Sequence, residues 1–340
     1  MSAVSSSCKV AITGASSLLG REVKQVLEDR RFPASEIALF EDDAAVVGTL
    51  TAAAGEAAII RALDGESFRG VRFVFLAGGV EAAARDAIAA AGAGASVIDL
   101  TQSGPAVADS RPRIPSIESI LPAPVATTAK HAITRAPSSP AIIACAVCAA
   151  LQAFAPIRVA FTLFPPVSEH GPAGVEELEN QTAQLLSLRP LSRSVFDAQV
   201  AFNLLSRYGT ESPRTLEETR ACIAQDISGY LAGRILLPAF QLIQAPVFYG
   251  YAFSAFAEFP QAAPAPNALR KALTSTGIAV SKTDSDAPDV VSFAGESAIQ
   301  MTRPVADTNI PDALWLWGGA DNVRLAATNA VSIAEALLAE

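Results

Sequence analysis

The chain has 340 residues, 51% hydrophobic and 17% charged, with 34 acidic against 25 basic side chains for a net charge of −9. That length accommodates about two domains, and so apolar a composition excludes a disordered chain. An acidic balance without a basic block argues against nucleic acid or an anionic membrane surface as a partner, since both need clustered cations. The most apolar run, Ala141 to Pro156, falls short of the roughly 18 residues of a membrane span and reads as a buried helix. The opening MSAVSSSCKVAIT does not read as a signal peptide. Four cysteines, Cys8, Cys145, Cys148 and Cys222, do not make a disulfide framework, so a cytoplasmic protein in a reducing compartment is expected.

In chain order, Lys9 to Thr13 is a β-rich run and Gly14 to Gly20 a turn of small residues. Glu22 to Arg31 places Val23, Val26 and Leu27 on one helical face, and Pro33 ends it. Ile37–Phe40 and Phe73–Leu76 read as strands, Glu81–Ala91 as a helix and Val97–Leu100 as a strand. Near-continuous apolar strands alternating with helices predict an α/β, doubly wound parallel sheet covered on both faces. Residues 104–140, rich in Pro, Ser and Ala, read as a connecting region. Beyond it the pattern predicts a helix near 141–154, a strand over Arg158–Phe164 and a helix over Gly174–Leu186. Long alternating strands are expected near 245–258 and 290–302, with another at Leu314–Trp317. Trp315 and Trp317 would share a face there, as core or interface anchors. An amphipathic helix over Asn322–Leu338 would return to the first domain. The longer strands predict an α+β second domain with a mixed or antiparallel sheet.

The turn Gly14-Ala15-Ser16-Ser17-Leu18-Leu19-Gly20 follows a strand and opens a helix, where backbone N–H groups can cradle a pyrophosphate. The first and last glycines of a GxxGxxG pattern are present, and Ser17 replaces the middle one. The alternative is a tight turn that binds nothing. Glu41-Asp42-Asp43 stands where an adenosine ribose would lie; an acid there accepts from a 2′-hydroxyl and repels a 2′-phosphate, which favours NAD over NADP. A solvated acidic loop is the competing reading.

These blocks resemble the aspartate-semialdehyde dehydrogenase family from end to end. VAITGASSLLGREV matches its opening "VAVVGATGAVG", Arg31-Phe32-Pro33 its helix-ending "FP", Leu76-Ala77-Gly78-Gly79 its "SAGG" and Val97-Ile98-Asp99 its "VID". Val167 to Leu178 matches "VSGAGKAGIDEL", followed by Gln181-Thr182. Ala201-Phe202-Asn203 matches "AFN", Ala245 to Phe248 "VPVF", and Asp321 to Arg324 with Asn329-Ala330-Val331 the closing "DNLRKGAAxNAV". The resemblance implies a Rossmann-type domain over 1–136 with 321–340, and a dimerisation and catalytic-type domain over 137–320. It implies NAD or NADP contacts at Gly14, Ser16, Ser17, Leu18, Leu19, Gly20, Ala77, Gly78 and Asn322, and a homodimer whose interface uses the 245–258 strands. The family's reaction is reductive dephosphorylation of β-aspartyl phosphate through a cysteine thioester and hydride transfer.

Along that same resemblance the reacting groups are replaced. The family nucleophile of "NPNCST" falls on Ala141, or on Ser139 in a register shifted by two. Its histidine becomes Tyr251, its "YQAVSG" glutamine Pro165, and its arginines Gln244 and Pro105. The lysine of "GKAG" becomes Pro172, and Leu325 and Ala326 replace a lysine and a glycine. Arg214, for a family lysine, and Arg324 remain as cations. Ser138-Ser139-Pro140 and Ile243-Gln244-Ala245-Pro246-Val247-Phe248 resemble a divergent, non-catalytic branch of the family. The expectation is therefore a non-catalytic homologue acting by binding or dimerisation; the alternative is an active NAD(P)-dependent dehydrogenase with altered chemistry. Cys145 and Cys148 read as small buried residues of an apolar helix rather than a redox pair. His131 and His170 are the only histidines; His170 lies near the former site and reads as solvent-exposed. Glu176, Glu177 and Glu179 read as helix-stabilising acids. No grouping has metal-ligand spacing.

Overall fold

The structure is a computed structural model and describes residues 7–53, 55–101, 110–122 and 133–340. Pro105 and His131 lie outside these residues. The chain divides into two compact units, 1–115 with 126–138 and 326–340, and 116–125 with 139–325. The segment 116–125, which the sequence reading kept with the first domain, groups with the second unit: there the Pro122 carbonyl accepts from Arg234 Nε at 2.7 Å.

The first unit is built on β1 (Cys8–Thr13), β2 (Ala34–Phe40), a hairpin β3 (Leu50–Ala53) and β4 (Glu56–Ile59), β5 (Val71–Leu76), β6 (Ser96–Asp99), β7 (Arg111–Pro112) and β8 (Ile133–Arg135). Apart from the hairpin, these strands make one parallel sheet in the order β2-β1-β5-β6-β8-β7. Strand parity sorts the core. Val10, Ile12, Phe73 and Phe75 face α1 (Leu18–Asp29) and the Ala327–Ala334 stretch of the closing helix. Ala11, Val74, Leu76 and Val97 face Ala83, Ala87 and Ala90 of α2 (Val80–Gly92). Both faces are covered, which is why the strands read as continuous apolar runs.

The second unit contains α3 (Pro115–Glu118, save its first residue), α4 (Ser139–Leu151), β9 (Arg158–Phe164), α5 (Gly171–Leu186), α6 (Leu216–Leu231), β10 (Ala239–Leu242), β11 (Tyr251–Glu258), α7 (Pro266–Ser275), β12 (Ile278–Val280), β13 (Ile299–Met301), β14 (Val305–Ala306), β15 (Ala313–Ala320) and the first residues of α8 (Asn322–Ala339). Its sheet runs β10-β9-β11-β15-β13-β12, with β14 also on β15. It is mixed: the central pairs are antiparallel and the two outer pairs parallel. All thirteen residues of α4 are buried. The helix packs on β9 and β15 and against α6 and α7, as a helix apolar all round must.

Two predicted strands shrink. Residues 245–250 are not strand, because the carbonyls of Val247 and Phe248 accept from the amides of Val167 and Ser168 instead. Of 290–302 only β13 is strand: Asp289 and Ser292 cap each other's amides at 2.9 Å, a local turn that competes with a ladder. Trp315 and Trp317 do share a face, but it is not the core; they are 45% and 37% exposed beside Phe164 and Phe256. No helix among the described residues is long and apolar enough to cross a membrane.

The sheet order reverses between β1 and β5, where doubly wound folds have their crevice. Gly14, after β1, and Gly78, after β5, meet there. Gly14 has φ +66°, and a Cβ on it would lie 2.3 Å from Gly78 Cα and N. Gly14→Ala is expected to destabilise the protein by about 2–5 kcal/mol through combined strain and overlap. Gly79→Ala, where an added Cβ meets nothing within 4 Å, is expected to cost about 1 kcal/mol or less. Urea denaturation of both variants checks the contrast.

Candidate functional site

In the first unit, the turn from Gly14 to Gly20 is held by its own side chains. Ser17 is the N-cap of α1: its Oγ accepts from Gly20 N at 2.9 Å and donates to the Ala77 carbonyl at 2.8 Å. A Cβ on Gly20 would stand 2.2 Å from the Gly14 carbonyl oxygen. Both glycines are thus required by backbone packing alone. Leu18 and Leu19 open α1, and Leu19 packs on the core. The backbone N–H and the hydroxyl of Ser16 both donate to Glu41 Oε2, at 3.0 and 2.5 Å. A carboxylate therefore sits at the mouth of α1, where a helix N-terminus favours negative charge. Asp42 pairs with Arg85 at 3.0 Å, and Asp43 Oδ1 accepts from Ala45 N at 2.9 Å.

In the second unit, Ser139 and Ala141 both stand in the first turn of α4, 3% and 0% exposed. Pro140 fits there because a first-turn N–H has no helical acceptor. The Ser139 hydroxyl donates to the Asn322 carbonyl at 2.5 Å. The Asn322 amide is occupied inside this unit as well. Its Nδ2 donates to Glu169 Oε1 at 2.7 Å and Ser168 Oγ at 3.1 Å, and its Oδ1 accepts from Gly250 N at 3.2 Å.

Gln244 and Pro165 form one knot. Gln244 is fully buried; its Nε2 donates to the carbonyls of Pro165 and Ala245, each at 2.9 Å. Its Oε1 accepts from the Tyr208 hydroxyl at 2.6 Å, and that hydroxyl lies 3.2 Å from His170 Nε2. Since Tyr208 gives its proton to Gln244, it accepts from His170, which fixes the Nε2–H tautomer. His170 is not solvent-exposed. The turn Val167–His170 folds it inward, where Phe196 and Tyr208 meet its ring edge-on at 4.8 and 5.4 Å. Gly174 permits this, since a Cβ there would lie 2.8 Å from His170 Cβ. Burial, with the Arg214 charge adding to it, lowers the imidazole to about 4.

Burial raises the carboxyl of Glu169, against the Asn322 hydrogen bond and the Arg214 charge. Tyr251, the first residue of β11, is 0% exposed, and its hydroxyl has no hydrogen-bond partner among the described residues. Burial first, then the nearness of Glu169 and Tyr208, pushes its phenol well above the ordinary value. Arg214 is half-buried, forms no ion pair among the described residues, and acts electrostatically on Glu169, His170, Tyr208 and Tyr251. Pro172 lies in the first turn of α5 and Arg324 in that of α8. Cys145 and Cys148 lie deeper in α4, 0% and 3% exposed; burial raises both thiols, Cys148 to about 12. Among the described residues no group of three His, Cys, Asp or Glu can hold a metal ion.

Sequence reasoning missed the supports of this cluster. Glu177 accepts from Val195 N at 2.5 Å and Ser194 Oγ at 3.0 Å. Gln181, fully buried, donates to the Ser192 and Ala198 carbonyls and accepts from Val200 N. Together they fix the loop that carries Phe196. Glu177 is thus a loop anchor rather than a helix-end acid. The legible signal was spacing: two polar residues four apart on the face that also carries Leu178 and Gly174.

Models of two families match the chain: "Semialdehyde dehydrogenase, NAD binding domain" at residues 9–106 and "Semialdehyde dehydrogenase, dimerisation domain" at 148–325. A USG-1 protein homolog of Azotobacter vinelandii is 32% identical over 97% of both chains. Aspartate-semialdehyde dehydrogenase 2 of Vibrio cholerae is 28% identical over 97% of both. Among solved structures, a probable aspartate-semialdehyde dehydrogenase from Pseudomonas aeruginosa superposes with TM-score 0.84 at 30% identity, covering 98% of both chains. Aspartate semialdehyde dehydrogenase II from Vibrio cholerae gives the same TM-score, 0.84, at 27% identity, covering 98% of this chain and 99% of that one.

The His170 environment sets a pH dependence. An unfolded imidazole takes up its proton near 6.5 and the folded one only near about 4, so the unfolded state binds more protons between those values. The contribution to stability is complete above pH about 6.5 and declines as pH falls toward 4, by up to about 3 kcal/mol. The stability of the wild type relative to His170→Gln, measured by urea denaturation, is expected to fall over that window. A pH-independent difference would contradict the buried, neutral imidazole; Glu169, common to both proteins, cancels.

Proposed function

The chain belongs to the semialdehyde dehydrogenase family, and from that premise we infer that it keeps the family's two domains without its thioester chemistry, acting by binding or dimerisation. The observation that carries this reading is the state of the first turn of α4. Acyl transfer needs a nucleophile whose anion forms near neutral pH and a base within reach. Here the turn offers an alanine methyl and a serine hydroxyl already donated to the Asn322 carbonyl. Tyr251 is a buried phenol raised well above its ordinary value, and the α4 thiols, 0% and 3% exposed, lie deeper in the helix than that turn.

A small carboxylate is the ligand class that fits the retained Arg214. In the first unit, Glu41 supports NAD over NADP, because its carboxylate repels a 2′-phosphate. The sheet face carrying Phe164, Phe256, Trp315 and Trp317 suits a homodimer, as exposed aromatic patches do. Unpaired cysteines suit a cytoplasmic setting.

The second reading, an active NAD(P)-dependent dehydrogenase, is favoured by the 28% identity to the Vibrio cholerae enzyme along the whole chain. One assay separates them. With aspartate semialdehyde, phosphate and either NADP or NAD, we expect no reduced cofactor above the blank. Turnover that is lost in Cys145→Ala/Cys148→Ala would establish the second reading instead. In the same preparation NAD is expected to raise the melting temperature more than NADP. For the dimer, Trp315→Asp/Trp317→Asp is expected to halve the mass in size-exclusion chromatography with light scattering while leaving the circular dichroism unchanged; an unaltered dimer would place the interface elsewhere.

A further inference from the structure

On the face of the first unit's sheet that carries α2, a half-open cavity of about 280 Å³ is formed by β1, β2 and the segment 61–69. Its floor is apolar and buried, built from Ala38, Phe40 and Val71. Its walls are charged. Lys9 and Glu36 are paired residues of β1 and β2, and Glu36 meets two cations, Lys9 Nζ at 2.9 Å and Arg61 Nη2 at 3.6 Å. That group leaves one positive charge over. Asp64 and Glu66 share a single further cation, Arg69, whose Nη1 lies 3.2 Å from Glu66 Oε2. One negative charge is left over there, on Asp64, whose hydrogen bonds from Ser67 Oγ and Glu66 N both fall on Oδ1. Arg61 acts electrostatically on Asp64, yet the two form no ion pair among the described residues. The Phe40 ring holds the guanidinium instead, its carbon 5.4 Å from the ring centroid.

Two unlike charges that line one cavity without pairing suit a ligand that carries both. The charges of the lining cancel, so a ligand with net charge, such as a phosphate or a polyamine, is left unbalanced. The guanidinium fork matches a planar carboxylate. A carboxylate oxygen of Asp64 takes an N–H donor, which a quaternary ammonium lacks. The floor takes an alkyl or aryl group, and the volume suffices, since a cavity of about 150 Å³ already holds benzene. We propose that this cavity binds a zwitterionic α-amino acid with an apolar side chain, its carboxylate on Arg61 and Lys9, its ammonium on Asp64 and its side chain over Ala38 and Val71. Lys9 and Val71 stand at the starts of β1 and β5, whereas Gly14 and Gly78 follow their ends. The site is therefore separate from the dinucleotide-type turn, and it does not rest on how that turn or the second unit is read.

L-Leucine is the probe, with L-leucinamide, which lacks the carboxylate, and N-acetyl-L-leucine, which lacks the ammonium, as controls. Each is titrated into the full chain at low salt. Binding is read from the methyl resonances of Ala38, Ala62 and Val71, which line the cavity, so a carboxylate held by Arg214 does not enter the readout. L-Leucine is expected to saturate these shifts with a dissociation constant of about 1 mM. Because the charged groups are exposed, each control is expected to bind only roughly threefold to fivefold more weakly. Arg61→Gln is expected to bring L-leucine down to the level of L-leucinamide and to leave L-leucinamide unchanged. Asp64→Asn is expected to bring it down to the level of N-acetyl-L-leucine and to leave that control unchanged. Circular dichroism and melting temperature confirm the fold of both variants. The proposal is overturned by absence of saturable shifts with L-leucine, by equal binding of the three compounds to the wild type, or by ratios that persist in either variant.

Discussion

Gln244 is an amide with no access to water, and the geometry around it follows from that constraint. A buried amide must find partners for both its N–H bonds and its oxygen. The N–H bonds point at the carbonyls of Pro165 and Ala245, so the oxygen is left for Tyr208. Tyr208 then has only an acceptor to offer His170, which stays neutral with its proton on Nε2. Phe196, held by the loop that Glu177 and Gln181 anchor, closes the aromatic cluster behind the imidazole. A cationic arginine at position 244 would demand a carboxylate or ligand to meet it; glutamine lets the protein complete the network from its own chain.

The turn in the first unit follows the same logic by a different route. Helix N-termini attract anions, and here the anion nearest to hand is Glu41, bonded to the N–H and hydroxyl of Ser16. The glycines of the turn are explained by Gly14 approaching Gly78 and by Gly20 lying under the Gly14 carbonyl. Glycine pattern therefore reports strand-to-helix packing here, and ligand binding has to be argued from the donors that face outward.

Much of the fold was legible in the sequence because it rests on periodicity. Arg158–Phe164 was read residue for residue, since its alternation matches a sheet with one buried face, and the β1-turn-α1 unit appeared within a few residues of its bounds. What escaped was decided by non-local partners. Residues 245–250 alternate like a strand, yet the carbonyls of Val247 and Phe248 are bound by the loop at 167–168. α6, with its Thr215–Glu218 capping box, went unread because its moderate apolar face is diluted by Glu217, Arg220 and Gln225. In the candidate site, residue identities were legible and states were not. Whether a lone histidine is exposed depends on Phe196 and Tyr208, which are 26 and 38 positions away.

Across both units, polar groups at the positions singled out in the sequence are bonded to the protein itself. Glu41 is bound to Ser16, Ser139 to the Asn322 carbonyl, Asn322 to Ser168 and Glu169, and Gln244 to Pro165 and Tyr208. Self-satisfaction lowers the free energy of the ligand-free chain, and it raises what a ligand must supply to displace each contact. Among the described residues, the Arg214 guanidinium forms no ion pair and the Tyr251 hydroxyl has no hydrogen-bond partner. Tyr251 is 0% exposed, so its hydroxyl is closed to a ligand, whereas the half-buried Arg214 leaves one positive charge within reach of solvent.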